Sequence, residues 1–171
     1  MSCHSGSAGG EELKRLVSER KKLPVGIQSF EKLIESNAIY VDKTEYIYRL
    51  SHEITPIFLS RPRRFGKSLL LSTFRAYWEG KKALFRGLAI EQLEADNPEA
   101  WKSYPVFYFD LNGQDHSKLS ALDDALAAHL EQWEQEYIGT GSNDPLPIRF
   151  NNLLKKAHEK TGQRCVVLVD E

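Results

Sequence analysis

FLSRPRRFGKSLLLS, residues 58–72, sets three arginines, a glycine and a lysine between an apolar run and a leucine-rich one. A phosphate-binding loop needs a strand that delivers the chain to a turn whose backbone N–H groups wrap a phosphate. It also needs a helix that begins at the lysine, so that the dipole of its first turn adds to the attraction. PIFLS (56–60) precedes the turn and SLLLSTFRAYW follows it, so the sequence predicts this strand–loop–helix unit. In such a unit Gly66 lets the backbone approach the phosphates, Lys67 reaches the β and γ phosphates as a point charge, and Ser68 ligates Mg²⁺. Arg61, Pro62, Arg63, Arg64, Phe65, Gly66, Lys67 and Ser68 form the expected nucleotide-binding segment. One feature departs from the usual spacing G-x-x-x-x-G-K-[ST]: its first glycine is replaced by Arg61, which Pro62 pushes toward extended geometry. The loop keeps its length and loses its first hinge. The plainer alternative is a basic turn leading into a buried helix.

Composition bounds the rest. In 171 residues, 41% are hydrophobic and 27% charged, which suits one soluble globular domain. With 23 basic against 24 acidic residues the net charge is −1, so no global field favours nucleic acid or a membrane surface. An anion site must then come from local clustering, which makes the Arg61, Arg63, Arg64, Lys67 group informative. The two cysteines, Cys3 and Cys165, have no metal-ligand spacing and fit a reducing cytoplasm. No run approaches the roughly 18 apolar residues of a membrane span, so no membrane partner is expected. MSCHSGSAGG (1–10) reads as a flexible tail, in which Cys3 and His4 lack a second pair of metal ligands.

Helical spacing then appears in EELKRLVSERKK (11–22), stopping at Pro24. Ser29 is a candidate N-cap for FEKLIESN, and Thr44 for a short helix in YVDKTEYIYRL. Asp42 and Lys43 read best as a capping or ion-paired turn. PIFLS, PVFYFDLNG (105–113) and RCVVLVDE (164–171) are continuously apolar, as strands buried on both faces are. Helices are predicted over 68–79, over 117–138 and from about Pro147 to Gly162. The second of these has Leu119, Leu122, Leu126, Leu130, Trp133 and Tyr137 on one stripe. Strands alternating with helices predict an α/β domain with a mainly parallel sheet covered by helices.

VVLVDE supplies the second constellation. Asp170 at the C-terminal edge of a buried strand would hold Mg²⁺, and Glu171 would orient or deprotonate the attacking water. Asp110 ends a strand on the same expected edge and is a candidate for supporting the metal. His52, His116, His129 and His158 have no spacing for zinc or a triad.

LPVGIQSFEKLIESNAIYVDKTEYIYRL, FLSRPRRFGKSLLLSTFRAYWEGKKALFRGLAIE, YPVFYFDLNG and VVLVDE together resemble the AAA-ATPase-like family of ATP-binding proteins. The most specific run is SRPRRFGKS, so the absent first glycine is similar to a family trait. The resemblance implies a P-loop NTPase fold with Gly66, Lys67 and Ser68 in the nucleotide loop (Walker A) and Asp170 with Glu171 in the second motif (Walker B). It also implies ATP and Mg²⁺ as ligands. Many similar proteins carry a C-terminal PD-(D/E)XK nuclease-like domain, through which DNA or RNA would be a partner. Similar proteins continue past the DE pair, so the chain reads as an N-terminal fragment: a tail (1–10), a helical segment (11–54) and a partial ATPase core (55–171). Alone, it is expected to be poorly stable and to hydrolyse ATP slowly or not at all. Three functions stay open: an ATPase module coupled to a further domain, a nucleotide-gated switch without turnover, and a nucleic-acid-binding module that uses Arg61, Arg63 and Arg64 on backbone phosphates.

Overall fold

The computed structural model describes residues 21–53, 55–112 and 120–170. The expected tail, most of the 11–22 helix, His116, Leu119 and Glu171 lie outside these residues. Lys22, at the end of that expected helix, instead forms a parallel bridge with Ala38. Pro24 blocks helical continuation, and the bridge satisfies backbone groups on both sides, with Lys22 N–H donating to Asn37 O and Ile39 N–H to Lys22 O.

Helix α1 spans Phe30–Glu35 behind its Ser29 cap, whose side chain accepts from the Lys32 N–H. Helix α2 spans Thr44–Ser51, but Thr44 is not its cap. Asp42 does that work: its Oδ1 accepts the Thr44 N–H at 2.8 Å and the Thr44 hydroxyl at 2.7 Å. Asp42 Oδ2 accepts the Ala89 N–H, tying this turn to a distant loop.

Helix α3 spans Lys67–Trp78, and after a 3-10 turn at Lys82–Phe85 a short α4 follows at Ala89–Leu93. Sequence reading did not anticipate the last two, since each is too short to show a period. Phe30, Ile47, Ala76, Tyr77, Phe85 and Ile90 pack together as the core of this helical part. Gly80 ends the α3 region at φ +74°, and a Cβ there would lie 2.7 Å from the Trp101 carbonyl oxygen. Both its conformation and its space therefore call for glycine.

Strand β1 spans Val106–Asp110 and β2 spans Val166–Asp170, paired in parallel with Asp110 opposite Asp170. The crossover between them is made by α5, Ala121–Tyr137, and α6, Leu146–Thr161, which has proline in its first turn and Gly162 at its C-cap. Side chains alternate across a strand. Phe107 and Phe109 are buried with Leu130, Trp133, Leu153 and Ala157 of the crossover helices. Tyr108 points to the opposite face, where α3 packs against both strands. The result is an α/β arrangement with a small parallel sheet between helices.

Two expectations about strands are corrected as well. PIFLS is not a strand: residues 56–60 are irregular and exposed, with Phe58 88% accessible. A strand needs a neighbour for its backbone groups, and among the described residues β1 and β2 pair only with each other. Hydrophobicity signals that a run seeks cover without naming what covers it. For the same reason β2 is not buried on both faces, since Val167 and Val169 are 43% and 52% exposed. On α5, Leu122 is also exposed, lying beyond the part of the stripe that packs.

Burial alone would raise the pKa of Asp42, but the Thr44 and Ala89 N–H groups and the Thr44 hydroxyl hold it below the usual 3.8. A carboxyl lowered on folding contributes stability above its unfolded pKa and loses it as pH falls through the folded value. Asp42→Ala is expected to cost about 1 kcal/mol at pH 7, the scale of a lost cap. Its difference from wild type should shrink in urea melts below pH 3.8. An equal difference at pH 7 and pH 2.5 would contradict the charge-based account.

Candidate functional site at the sheet edge

Residues 61–66 are exposed and contain a turn at Arg63–Arg64 followed by a bend into α3. Two left-handed residues shape it, Arg64 at φ +68° and Gly66 at φ +77°. Such a conformation in a non-glycine residue costs on the order of 1 kcal/mol. At Gly66 the space beside the backbone is open, with no heavy atom within 4 Å of a would-be Cβ, so backbone conformation is what calls for glycine there. Lys67 is the first residue of α3, and no side chain caps that helix. Its first N–H groups are left to solvent or to a ligand.

From Lys67 onward the helix presents one polar face. Ser68, Ser72, Arg75 and Glu79 recur at the spacing of successive turns. They line a cavity of about 320 Å³ with Tyr108, Asp110, Asn112 and Asp170 of the sheet edge. That volume lies at the lower end of small-molecule sites, roughly 300–1,000 Å³. Ser68 and Asp170, far apart in sequence, therefore share one cleft at the C-terminal edge of the parallel strands, where open α/β sheets bind ligands.

The carboxylates differ in their surroundings. Asp170 is 3% exposed, and its Oδ2 accepts the Tyr108 hydroxyl at 2.9 Å. Asp110 is exposed, and its Oδ1 accepts both the backbone N–H and the side-chain amide of Asn112 at 3.0 Å. Burial, then the hydrogen bond to Asp170, pushes the Tyr108 phenol far above its ordinary value, so it stays a donor. The Arg75 guanidinium lies over the Tyr108 ring, 5.6 Å from its centroid. Arg75 also donates to Glu79 at 2.7 Å, and Lys81 joins Glu79 at 2.9 Å to Glu31 at 3.0 Å. The wall of the cleft is thus a neutralised charge network running to α1, which Ser72 reinforces by accepting the Phe30 N–H.

The donors suit a hard cation. A hydroxyl, two carboxylates and an amide are all oxygen ligands or their close neighbours, as Mg²⁺ prefers. Among the described residues no group of three or more His, Cys, Asp or Glu side chains forms a self-sufficient metal cage. Mg²⁺ is usually held by one or two carboxylates plus water and substrate phosphates.

Of the residues expected from sequence, Ser68 and Asp170 meet in the cleft, with Asp110 beside them. Arg61, Pro62, Arg63, Arg64 and Phe65 lie exposed on the loop that leads into α3. Tyr108, Ser72 and Arg75 were missed. The helical spacing of Ser68, Ser72 and Arg75 was a signal in the sequence. The direction of Tyr108 follows from strand alternation once Asp170 is known to be its neighbour.

A second cavity, of about 390 Å³, lies between α5 and α6 near Glu134 and Arg149. Arg149, Lys155 and Lys156 line it, the first paired with Glu134 and the last with Glu159.

The family model described as "Predicted AAA-ATPase" matches residues 24–171. The chain belongs to the AAA-ATPase-like family. This AAA-ATPase-like chain is also 39% identical over 153 residues to a protein of Azotobacter chroococcum mcd 1, described as "Uncharacterized protein in vnfD 5'region". The match covers 89% of the chain and 29% of that relative, so the chain spans less than a third of the relative's length. No solved structure matches the AAA-ATPase-like chain. No helix among the described residues is long and apolar enough to cross a membrane.

Proposed function

We propose that this chain is the Mg-ATP-binding part of a P-loop ATPase. The observation that carries the reading is the convergence of Ser68 and Asp170 on one oxygen-lined cleft, at the start of a helix that no side chain caps. Membership of the AAA-ATPase-like family supports it. In this reading residues 61–68 wrap the triphosphate without the leading strand expected at 56–60, with the N–H groups at the start of α3 and the Lys67 ammonium meeting its negative charge. Ser68 and Asp170 would hold Mg²⁺, which would supply positive charge against the triphosphate. Glu171 orients the attacking water and takes its proton. Asp110, opposite Asp170 across the strands, and Asn112 line the cleft beside these residues. ATP turnover would drive a further C-terminal part of the protein, for which a nuclease-like domain acting on DNA or RNA is the family-based suggestion. In this reading the chain acts in the cytoplasm, where ATP is at hand.

The test is a titration of the full-length chain with fluorescent ATP and Mg²⁺. Lys67→Ala removes a charge-assisted contact of about 1.5–3 kcal/mol, so affinity should fall about 10- to 150-fold. Wild-type affinity in Lys67→Ala would remove the phosphate-loop reading.

A further inference from the structure

We propose that Tyr108 is a positioning residue: its hydroxyl sets the orientation of the Asp170 carboxylate toward the divalent cation of the cleft. This rests on the Mg-ATP reading above. Tyr108 and Asp170 are not cross-strand partners, since Tyr108 pairs with Leu168 and Asp170 with Asp110. They are diagonal neighbours on one face, about 8 Å apart at the backbone from the strand rise and spacing. A side chain as long as tyrosine is needed to close that diagonal, and it does so with a 2.9 Å hydrogen bond to Oδ2.

Tyr108 is itself held. The Arg75 guanidinium lies against its ring, and Arg75 is in turn fixed by Glu79. Arg75 lies two turns along α3 from Ser68, so the helix that supplies one expected metal contact also braces the tyrosine that aims the other. With Oδ2 engaged by the phenol, Oδ1 is the oxygen left to meet a cation. Partners behind a ligand carboxylate fix its orientation, and their loss commonly costs 10- to 100-fold in metal affinity.

Tyr108→Phe removes only the hydroxyl and keeps the ring under Arg75. With a non-hydrolysable ATP analogue bound to the full-length chain, Mn²⁺ serves as the probe, followed by electron paramagnetic resonance. Tyr108→Phe is expected to weaken Mn²⁺ binding about 10-fold, while nucleotide affinity without divalent cation stays at the wild-type value. The same change made on Asp170→Asn should add no further loss, because the tyrosine acts through that carboxylate. Unchanged Mn²⁺ affinity in Tyr108→Phe, or an equal loss in both backgrounds, overturns the positioning role. Wild-type Mn²⁺ binding in Asp170→Asn alone would overturn the Mg-ATP reading itself.

Discussion

In the full-length protein, Glu171→Gln should abolish most ATP hydrolysis while leaving Mg-ATP affinity close to that of wild type. The substitution keeps the size and hydrogen-bonding reach of the side chain but removes its capacity to accept a proton. General-base catalysis contributes roughly 10²- to 10⁴-fold, so phosphate release under single-turnover conditions should slow by that factor, or about 3–5 kcal/mol. The contrast with Lys67→Ala is diagnostic, since that variant should lose binding and turnover together. Hydrolysis at the wild-type rate in Glu171→Gln would eliminate Glu171 as the base. A wild-type full-length protein that binds Mg-ATP with no turnover would instead favour the nucleotide-gated switch. Tight DNA binding that needs no ATP and falls steeply with salt would favour the arginine cluster as a nucleic-acid site.

The second large effect concerns stability. Glu134 on α5 is 1% exposed and accepts two hydrogen bonds from Arg149 on α6, Nε at 2.9 Å and Nη2 at 2.8 Å. Truncating one partner of such a pair leaves a buried charge without compensation, which costs about 3–5 kcal/mol. Arg149→Ala should therefore lower the melting temperature by about 6–20 °C, at 2–4 °C per kcal/mol for a protein of this size. The double replacement Glu134→Met, Arg149→Leu should recover most of that loss, because a packed apolar pair bears no desolvation cost. The consequence reaches the cleft, since α5 and α6 cover Phe107 and Phe109 of the strand that carries Tyr108 and Asp110. A melting temperature of Arg149→Ala within 1–2 °C of wild type, against the expected scale, would show that the pair is not needed to hold the crossover.

Local chemistry explains why much of the architecture was legible. Ser29 has a cap's side chain and precedes apolar residues at helical spacing, and α1 begins there. VFYFD and VVLVD are β-branched and aromatic runs with polar ends, and both are strands. Pro147 and Gly162 bracket α6. In each case the information lies within a few residues, because capping, φ restriction and burial of a periodic face act over one or two turns.

Pairings carried the rest. PIFLS is as apolar as β2, yet it lies exposed, because a strand exists only where another backbone meets it. A helix acid is ordinarily exposed, yet Glu134 is buried, because Arg149 comes to it from the next helix. Asp42 was legible as a turn residue through its contact with Thr44, while its bond to the Ala89 N–H depends on how two distant segments dock.

The candidate site divides along the same line. The chain alone determined which residue types stand ready: the glycine and lysine that open α3, the serine after them, and the aspartate that ends an apolar strand. Only the tertiary structure decided that Ser68 and Asp170 look into one cleft, and that Tyr108 and Arg75 line it with them. Backbone preferences and side-chain chemistry are local properties that a sequence carries openly. The meeting of α3 with the sheet edge comes instead from burying faces of segments far apart in the chain, and no short stretch encodes its outcome.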